Sequence, residues 1–258
     1  MASIIKQLEA RNGSPFGKDG KPKPILGNST KVELSGAVDR LTAVVYLEPA
    51  LLCPFATAGC KLACLGHSTG HLAMSYHAIA RAWKTLLFLQ DRVEFINRLR
   101  KDVARLVKRA DKLGKVPAVR LNGSSDIFWE RVAPELFTDF PQVEWYDYTK
   151  APLSARRNLP SNYHLTFSLS EDPKSAERAS EYIAAGYSAA LVVAGPIGTK
   201  KVEAQKVAQR LIAIQSNAIS GDEHDHRPLD PAGSLVVLYA KGPKALKDTS
   251  GFVKRYEV

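Results

Sequence analysis

Cys53, Cys60 and Cys64 fall in one short segment, Cys-Pro-Phe-Ala-Thr-Ala-Gly-Cys-Lys-Leu-Ala-Cys, and the 258-residue chain contains no other cysteine. Thiolates are soft ligands that select iron–sulfur clusters and zinc, so three of them close together can converge on one metal centre. Three thiolates leave one position open. In a four-iron cluster that open iron can take a substrate or cofactor, whereas a structural zinc needs a fourth protein ligand to close its tetrahedron. His67 lies three residues beyond Cys64, and His71 follows it, so Cys53, Cys60, Cys64 and His67 could form such a zinc site.

The elements that must position this segment follow from hydrophobic periodicity. Residues 41–47 read as a strand, and Glu48-Pro49 leads from its C-terminal end into the cysteine segment. Before it, a short N-terminal helix precedes a Gly-, Pro- and Lys-rich arm over 12–30. Residues 72–113 read as helix with a break near Gln90-Asp91, where Asp91 can cap a second helix. Beyond 116, strands at 117–121, 143–148, 164–168 and 189–194 alternate with helices near 127–136, after 151, and near 175–185. A helix at 201–214 precedes a last strand at 234–239. Strands separated by helices argue for parallel pairing, as an open sheet or as a full or partial barrel.

Composition bounds the rest. Hydrophobic residues at 45% and charged residues at 24% suit a globular α/β protein,. The longest apolar runs fall far short of the roughly 20 residues a membrane helix needs, so no membrane partner is expected. The N-terminus lacks the apolar core of a signal peptide, and an odd number of cysteines argues against a disulfide framework; both fit the cytosol. A net charge of +10 suggests a polyanionic partner,. Its clearest local form is Arg98, Lys101, Arg105, Lys108 and Lys112, three or four residues apart on one helix. That stripe can follow a DNA or RNA backbone or can be a solvated amphipathic face.

In parallel α/β architectures the chemistry gathers at the C-terminal ends of the strands. Here those ends carry the cysteine loop, Asn122-Gly-Ser-Ser-Asp126, Tyr146-Asp-Tyr-Thr-Lys150, Ser168-Leu-Ser-Glu171 and Gly195-Pro-Ile-Gly-Thr199. This series resembles the radical S-adenosylmethionine (SAM) superfamily. The resemblance implies an α/β fold, a partial (β/α)6 TIM-barrel-like parallel sheet with outer helices. It also implies a [4Fe–4S] cluster held by Cys53, Cys60 and Cys64, with SAM chelating the fourth iron and an electron donor as partner. By the same resemblance Asn122, Gly123, Ser124 and Ser125 would receive the SAM amino group. Ser168, Ser170 and Glu171 would face the ribose or carboxylate, Lys150 would pair with the carboxylate, and Gly195 and Ile197 would border the adenine. The superfamily spacing is Cys-x3-Cys-x2-Cys with an aromatic before the last cysteine; this chain has Cys-x6-Cys-x3-Cys and Ala63 there.

The chain also resembles an uncharacterised phage-encoded family that joins such a cysteine loop to a Gly-(Thr/Ser)-Ser-Asp turn and an acidic segment ending in Leu-Asp-Pro, here Gly123-Ser-Ser-Asp126 and the stretch ending Leu229-Asp-Pro231. That resemblance brings no activity and implies a host cytoplasm. The expected organisation is a helix and basic arm over 1–40, a radical-SAM-like barrel domain over 41–242 and a C-terminal tail over 243–258. An enzyme of this type and a nucleic-acid-binding module with a structural Fe–S or zinc site are the two functional expectations.

Three further groups carry weaker expectations. Asp222, Glu223, His224, Asp225, His226, Arg227 and Asp230 could bind a divalent cation, form an acid–base site or fold over the barrel mouth, though a solvated loop is the ordinary reading of such a run. Tyr146 and Tyr148 could stack on a base or close the barrel. Trp129 and Phe128 are expected to pack a helix on the sheet, and Asp126 to cap it.

Overall fold

The alternation read along the chain folds into one sheet. The structure, a computed structural model, describes residues 2–11, 13–28, 39–64 and 74–257. Helix α1 (Ala2–Ala10) and a two-residue strand β1 (Gly27–Asn28) precede β2 (Arg40–Val44). The cysteine segment then holds a short helix, α2 (Ala58–Leu62). Two long helices follow, α3 (Ser75–Gln90) and α4 (Arg92–Lys112). Asp91 separates them and caps α4, its carboxylate accepting from Glu94 N at 3.0 Å,.

Strand β3 (Val116–Arg120) leads to two short helices, α5 (Trp129–Val132) and α6 (Glu135–Asp139). The expected single helix near 127–136 is split at Pro134, which supplies no N–H to continue it. The remaining elements are β4 (Glu144–Thr149), a 3₁₀ turn at Leu153–Ala155, β5 (Tyr163–Ser168), α7 (Ser175–Ala184) and β6 (Ser188–Ala194). After them come α8 (Lys201–Ile214), β7 (Ala218–Ser220), β8 (Leu235–Tyr239), α9 (Gly242–Leu246) and β9 (Lys254–Arg255).

Strands β2, β3, β4, β5, β6 and β8 are parallel and lie side by side in chain order, with β7 beyond β8, β1 antiparallel to β2, and β9 on β6. Parallel crossovers are right-handed, so the run β2 to β6, which never reverses its strand order, carries its helices on one face and curls around the other,. The fold is thus α/β with a partial, TIM-barrel-like parallel sheet. No helix among the described residues is long and apolar enough to cross a membrane.

Side chains alternate between the faces of each strand. The outward set, including Leu41, Ala43, Val119, Trp145, Leu165 and Phe167, packs on Phe95, Leu99, Val103 and Trp129 from the helices. The inward set differs sharply. Pairing puts Thr42 level with Ala118 and Val44 with Arg120, Tyr146 with His164 and Tyr148 with Thr166, and Thr166 with Ser188. The concave face is therefore polar and aromatic.

Both ends of the chain are tied to this frame. The N-terminal arm docks through Asp102 of α4, whose carboxylate accepts from Ile25 N at 2.6 Å and Leu26 N at 3.1 Å. Lys84 of α3 donates to the Ile25 carbonyl at 2.7 Å, and burial pulls its pKa down to about 8. At the other end Asp248 accepts from Val253 N at 3.0 Å, and Arg255 donates to the carbonyls of Gly195 and Leu246, each at 2.9 Å.

The Asp222–Asp230 run is not a solvated loop. His226 and Arg227 are fully buried, because the segment folds against the concave face. His226 Nε2 lies 2.6 Å from Glu144 Oε2, with its ring edge-on to Tyr146. Glu144 also pairs with Arg40 at 3.1 Å. Arg227 Nη1 lies 3.1 Å from Asp230, and Asp222 accepts from Tyr239 N at 3.2 Å. Opposite charges placed within one segment neutralise each other, which lets so polar a run be buried.

Candidate functional site

The cysteine loop leaves the C-terminal end of β2 and is clamped there by three neighbours. The first is the turn after β3: Asp126 N donates to Leu52 O at 2.9 Å, the Cys53 thiol faces the Ser124 carbonyl at 3.9 Å, and the Phe55 and Phe128 rings stack at 6.0 Å. The second is Glu171, beyond β5. Its carboxylate accepts from Thr57 Oγ1 at 2.7 Å and from Gly59 N at 2.6 Å, while Thr57 caps α2 by accepting from Cys60 N. One carboxylate thereby fixes the start of the helix that carries Cys60.

The third neighbour is the C-terminal segment. A Cβ on Gly59 would meet the Ser250 side chain and would stand 2.9 Å from Phe252 Cβ, so only glycine lets this segment pack on α2. Lys150 Nζ lies 5.0 Å from the centre of the Phe252 ring,. Thr57, Ser250 and Phe252 are site residues that the sequence reading did not select. Only Thr57 left a signal, as a capping residue at the head of a short helix.

The three thiols share one electrostatic environment. Burial pushes the Cys53 thiol up to about 12, and the nearby Asp126, Cys60 and Cys64 add to the rise. Burial likewise raises Cys60, with Cys64 and Glu171 adding and Lys150 opposing. Lys150 is lowered by burial, against the pull of Cys60, Asp126 and Glu171. Without a cation the Cys53 and Cys60 sulfurs stay protonated; a metal centre would reverse that, because coordination requires the thiolate. Among the described residues no three His, Cys, Asp or Glu side chains are placed to hold one metal ion. His67 and His71 lie outside the described residues.

The other expected residues sort into groups. Asn122 is a structural hub: its backbone N–H and its amide donate to Asp147 at 2.6 and 3.2 Å, and its carbonyl oxygen accepts from Ser125 Oγ, Ile127 N and Trp129 Nε1. Burial raises the pKa of Asp147 to about 7. Ser124 Oγ donates to Leu47 O at 2.6 Å. A Cβ on Gly123 would come within 2.5 Å of Val44 Cγ1 and 2.7 Å of the Tyr46 ring, so this glycine serves the packing of the turn onto β2. Ser168 Oγ accepts from Lys150 Nζ at 2.7 Å, and Ser170 is buried, its N–H donating to Ser175 Oγ at 2.8 Å.

Gly195 and Ile197 follow β6 on the same rim; the Gly195 carbonyl is held by Arg255 and Ile197 is exposed. Asp126 does not cap the next helix. Its carboxylate accepts from Lys150 N at 2.9 Å, and α5 begins after Phe128 with no side-chain cap. Trp129 is fully buried among Phe88 and Phe95, as expected.

On α4 the basic stripe loses one member. Arg98 is buried, pairing with Glu94 at 2.7 Å, donating to Pro15 O at 3.2 Å and lying over Phe16. The N-terminal arm covers it, an event no helical period reveals. Lys101, Arg105, Lys108 and Lys112 are exposed, with Arg105 paired to Asp102.

No curated protein and no solved structure matches the chain. One family model matches residues 17–256, which include every strand of the sheet and all three clamps of the cysteine loop, and the chain therefore belongs to the gene product 88 family.

Proposed function

We propose that this protein is an iron–sulfur enzyme of the radical SAM type, in which Cys53, Cys60 and Cys64 hold a [4Fe–4S] cluster at the mouth of the partial barrel. The observation that carries the reading is the position of the three electrostatically coupled thiols, on the loop that follows the first parallel strand of a sheet wound in chain order. The donor set fits: three thiols and no other sulfur ligand suit a cluster with one open iron. A single zinc ion must gather all its ligands around one point, whereas a four-iron cluster spreads its thiolates over different irons. Among the described residues no trio is placed for one ion, so the choice between the two rests on the metal content of the purified protein.

The chemistry such a centre supplies when bound is one electron for reductive cleavage of SAM, drawn from an external electron donor. The chain's own residues have definite tasks. Glu171 holds the Cys60 helix against the rim. Lys150 faces Cys60 with a positive charge that offsets the negative charge of a thiolate-bound centre,. Partial burial of Cys53 and Cys60, with Phe252 across Lys150, limits the access of water to the sulfurs. The side chains expected to meet SAM fit less well. Those of Asn122, Ser124, Ser125 and Ser168 make internal hydrogen bonds, so SAM is assigned here to the open iron alone and not to the turn.

The test is anaerobic purification, with iron, sulfide and zinc measured per chain and electron paramagnetic resonance recorded on the reduced protein with and without SAM. About four irons and four sulfides per chain, lost in Cys60→Ala, with a spectrum shifted by SAM, is the expected result. Iron and sulfide with no shift would remove SAM and leave a cluster protein; one zinc without iron would remove the cluster.

The exposed row Lys101, Arg105, Lys108 and Lys112 supports a second reading, in which a DNA or RNA strand docks on α4. Replacing Arg105 and Lys108 with Glu should then lower affinity and flatten the dependence of binding on salt. An unchanged salt slope makes the row a solvated helix face.

A further inference from the structure

The concave face below the cysteine loop holds a cation of a different kind from the other arginines of the interior. Arg81, Arg98, Arg156 and Arg227 each face a carboxylate, at 3.8, 2.7, 3.1 and 3.1 Å. Arg120, the last residue of β3, has no such partner among the described residues. Its Nε is buried without a hydrogen bond, and its guanidinium lies over the Tyr148 ring, 4.9 Å from the centre. Burial opposes its charge, and the surrounding Tyr148, Tyr146, Asp147 and Tyr46 sustain it. An arginine that is partly desolvated, unpaired and walled by tyrosines is a ready site for an anion, since part of the desolvation is already complete and the fork of donors is pre-positioned.

Two neutral groups on the same face point the same way. Tyr146 and Thr166 are 1% and 0% exposed, and neither hydroxyl has a hydrogen-bond partner. Strand register places Thr166 level with Tyr148, and Tyr146 lies two residues before Tyr148 on the same face. Buried hydroxyls are nearly always satisfied; Thr42 and Ser188 on this face also lack partners, but Tyr146 and Thr166 are the orphans placed next to Tyr148 by sequence and register, where an acceptor would also meet the unpaired guanidinium. The site is reachable, because Arg120, Tyr46 and Tyr148 are only partly buried. The acids of the covering segment are engaged elsewhere: Asp230 with Arg227 and Asp222 with Lys241, while Asp225 lies near the tyrosines and makes a contact of its own.

We infer that the concave face binds a phosphate-bearing small molecule, with the phosphate held by the Arg120 guanidinium and the Tyr146 and Thr166 hydroxyls, and Tyr46 and Tyr148 as its walls. A guanidinium fork and two hydroxyls on one face suit the three free oxygens of a phosphate ester better than the two of a carboxylate. The inference stands independently of the thiol centre, because none of these groups is a proposed metal ligand. It places an anionic ligand at the mouth where the cysteine loop also sits, since the Tyr46 ring touches the turn at Gly123 that clamps Cys53.

Isothermal titration calorimetry on the full chain at constant ionic strength tests it, with inorganic phosphate, adenosine monophosphate and acetate as separate titrants. Saturable phosphate and nucleotide binding is expected, about tenfold or more weaker in Arg120→Gln, weaker in Tyr146→Phe and unchanged in Lys108→Gln on the far side of the sheet. Equal affinity in Arg120→Gln, no saturable phosphate binding, or acetate bound more tightly than phosphate would each overturn the inference. Should Arg120→Gln fail to fold, modification of Arg120 by phenylglyoxal in the unaltered protein reads the same contact: phosphate must protect it, and equal labelling with and without phosphate rejects the site.

Discussion

The two ends of the concave face treat buried polarity in opposite ways. At the floor, where β2, β4 and β5 begin, charges are matched: Arg40 and His226 both meet Glu144, and Arg227 meets Asp230. At the rim the thiols of Cys53 and Cys60 are held protonated by burial, and Arg120 has no anion. The floor pairs its charges with its own residues, although His226 Nδ1 and Arg227 Nε there make no hydrogen bond, whereas the rim leaves the charge of Arg120 without a carboxylate among the described residues. A protein can tolerate unmet polar groups only where the rest of the structure supports them, so the contrast separates the part that holds the fold from the part that awaits a ligand.

The contrast is tested most severely at Arg227. Removing one partner of a fully buried pair leaves the other as an uncompensated charge, so Arg227→Ala should cost about 3–5 kcal/mol in urea unfolding. Asp230 would then stand buried against a cavity. A loss below about 1 kcal/mol would mean that the segment over the floor adds little to stability, and the distinction between floor and rim would fail.

Gly123→Val should have the next largest effect. The added branches would press on Val44 and the Tyr46 ring, and overpacking of this kind costs about 1–3 kcal/mol. Because the same turn holds Cys53, the variant should also raise the rate of thiol labelling at Cys53 under native conditions. Normal stability with slow labelling would show that the turn can move away from β2, and the clamp would lose its basis.

A smaller effect is confined to acid. The hydrogen bond from His226, followed by that from Arg40, holds Glu144 down to about 2 from its ordinary 4.5. Depression of a carboxyl pKa in the folded state adds stability that is fully present above 4.5 and disappears as pH falls toward 2. Glu144→Gln should therefore lie below the unaltered protein by a constant margin above about pH 5, and the two curves should converge between 4.5 and 2,. Parallel curves across that window would assign the margin to lost packing rather than to the charge.

What the sequence made legible follows the same division. Regular elements announced themselves, because apolar residues recurring at helical or strand period mark a buried face, and Asp91 marks the junction of α3 and α4,. Strands β1, β7 and β9 have two or three residues and carry no period. The charged floor was illegible for a different reason. The run at 222–230 reads as solvated until Glu144 and Asp230 are seen beside its cations, and these pairings are properties of the fold. Arg98 shows the error in reverse: it belongs to the basic stripe by spacing and leaves it because Pro15 and Phe16 come to rest on it. At the rim the cysteines were plain from residue type alone, while Glu171 emerged as their clamp only through contacts more than 100 residues apart in sequence.

The gentlest substitution separates the two ends most cleanly. Cys60→Ala removes one half-buried sulfur from a short helix whose start is fixed by Thr57 and Glu171 through groups the substitution leaves in place. The transfer cost of so small a group is about 1 kcal/mol or less, so the midpoint of urea unfolding of the metal-free protein should scarcely move. If the rim is built for a ligand, the same substitution should abolish iron and sulfide incorporation. A large loss of stability in metal-free Cys60→Ala would instead make the cysteine loop part of the structural core, and the rim would then resemble the floor it is contrasted with.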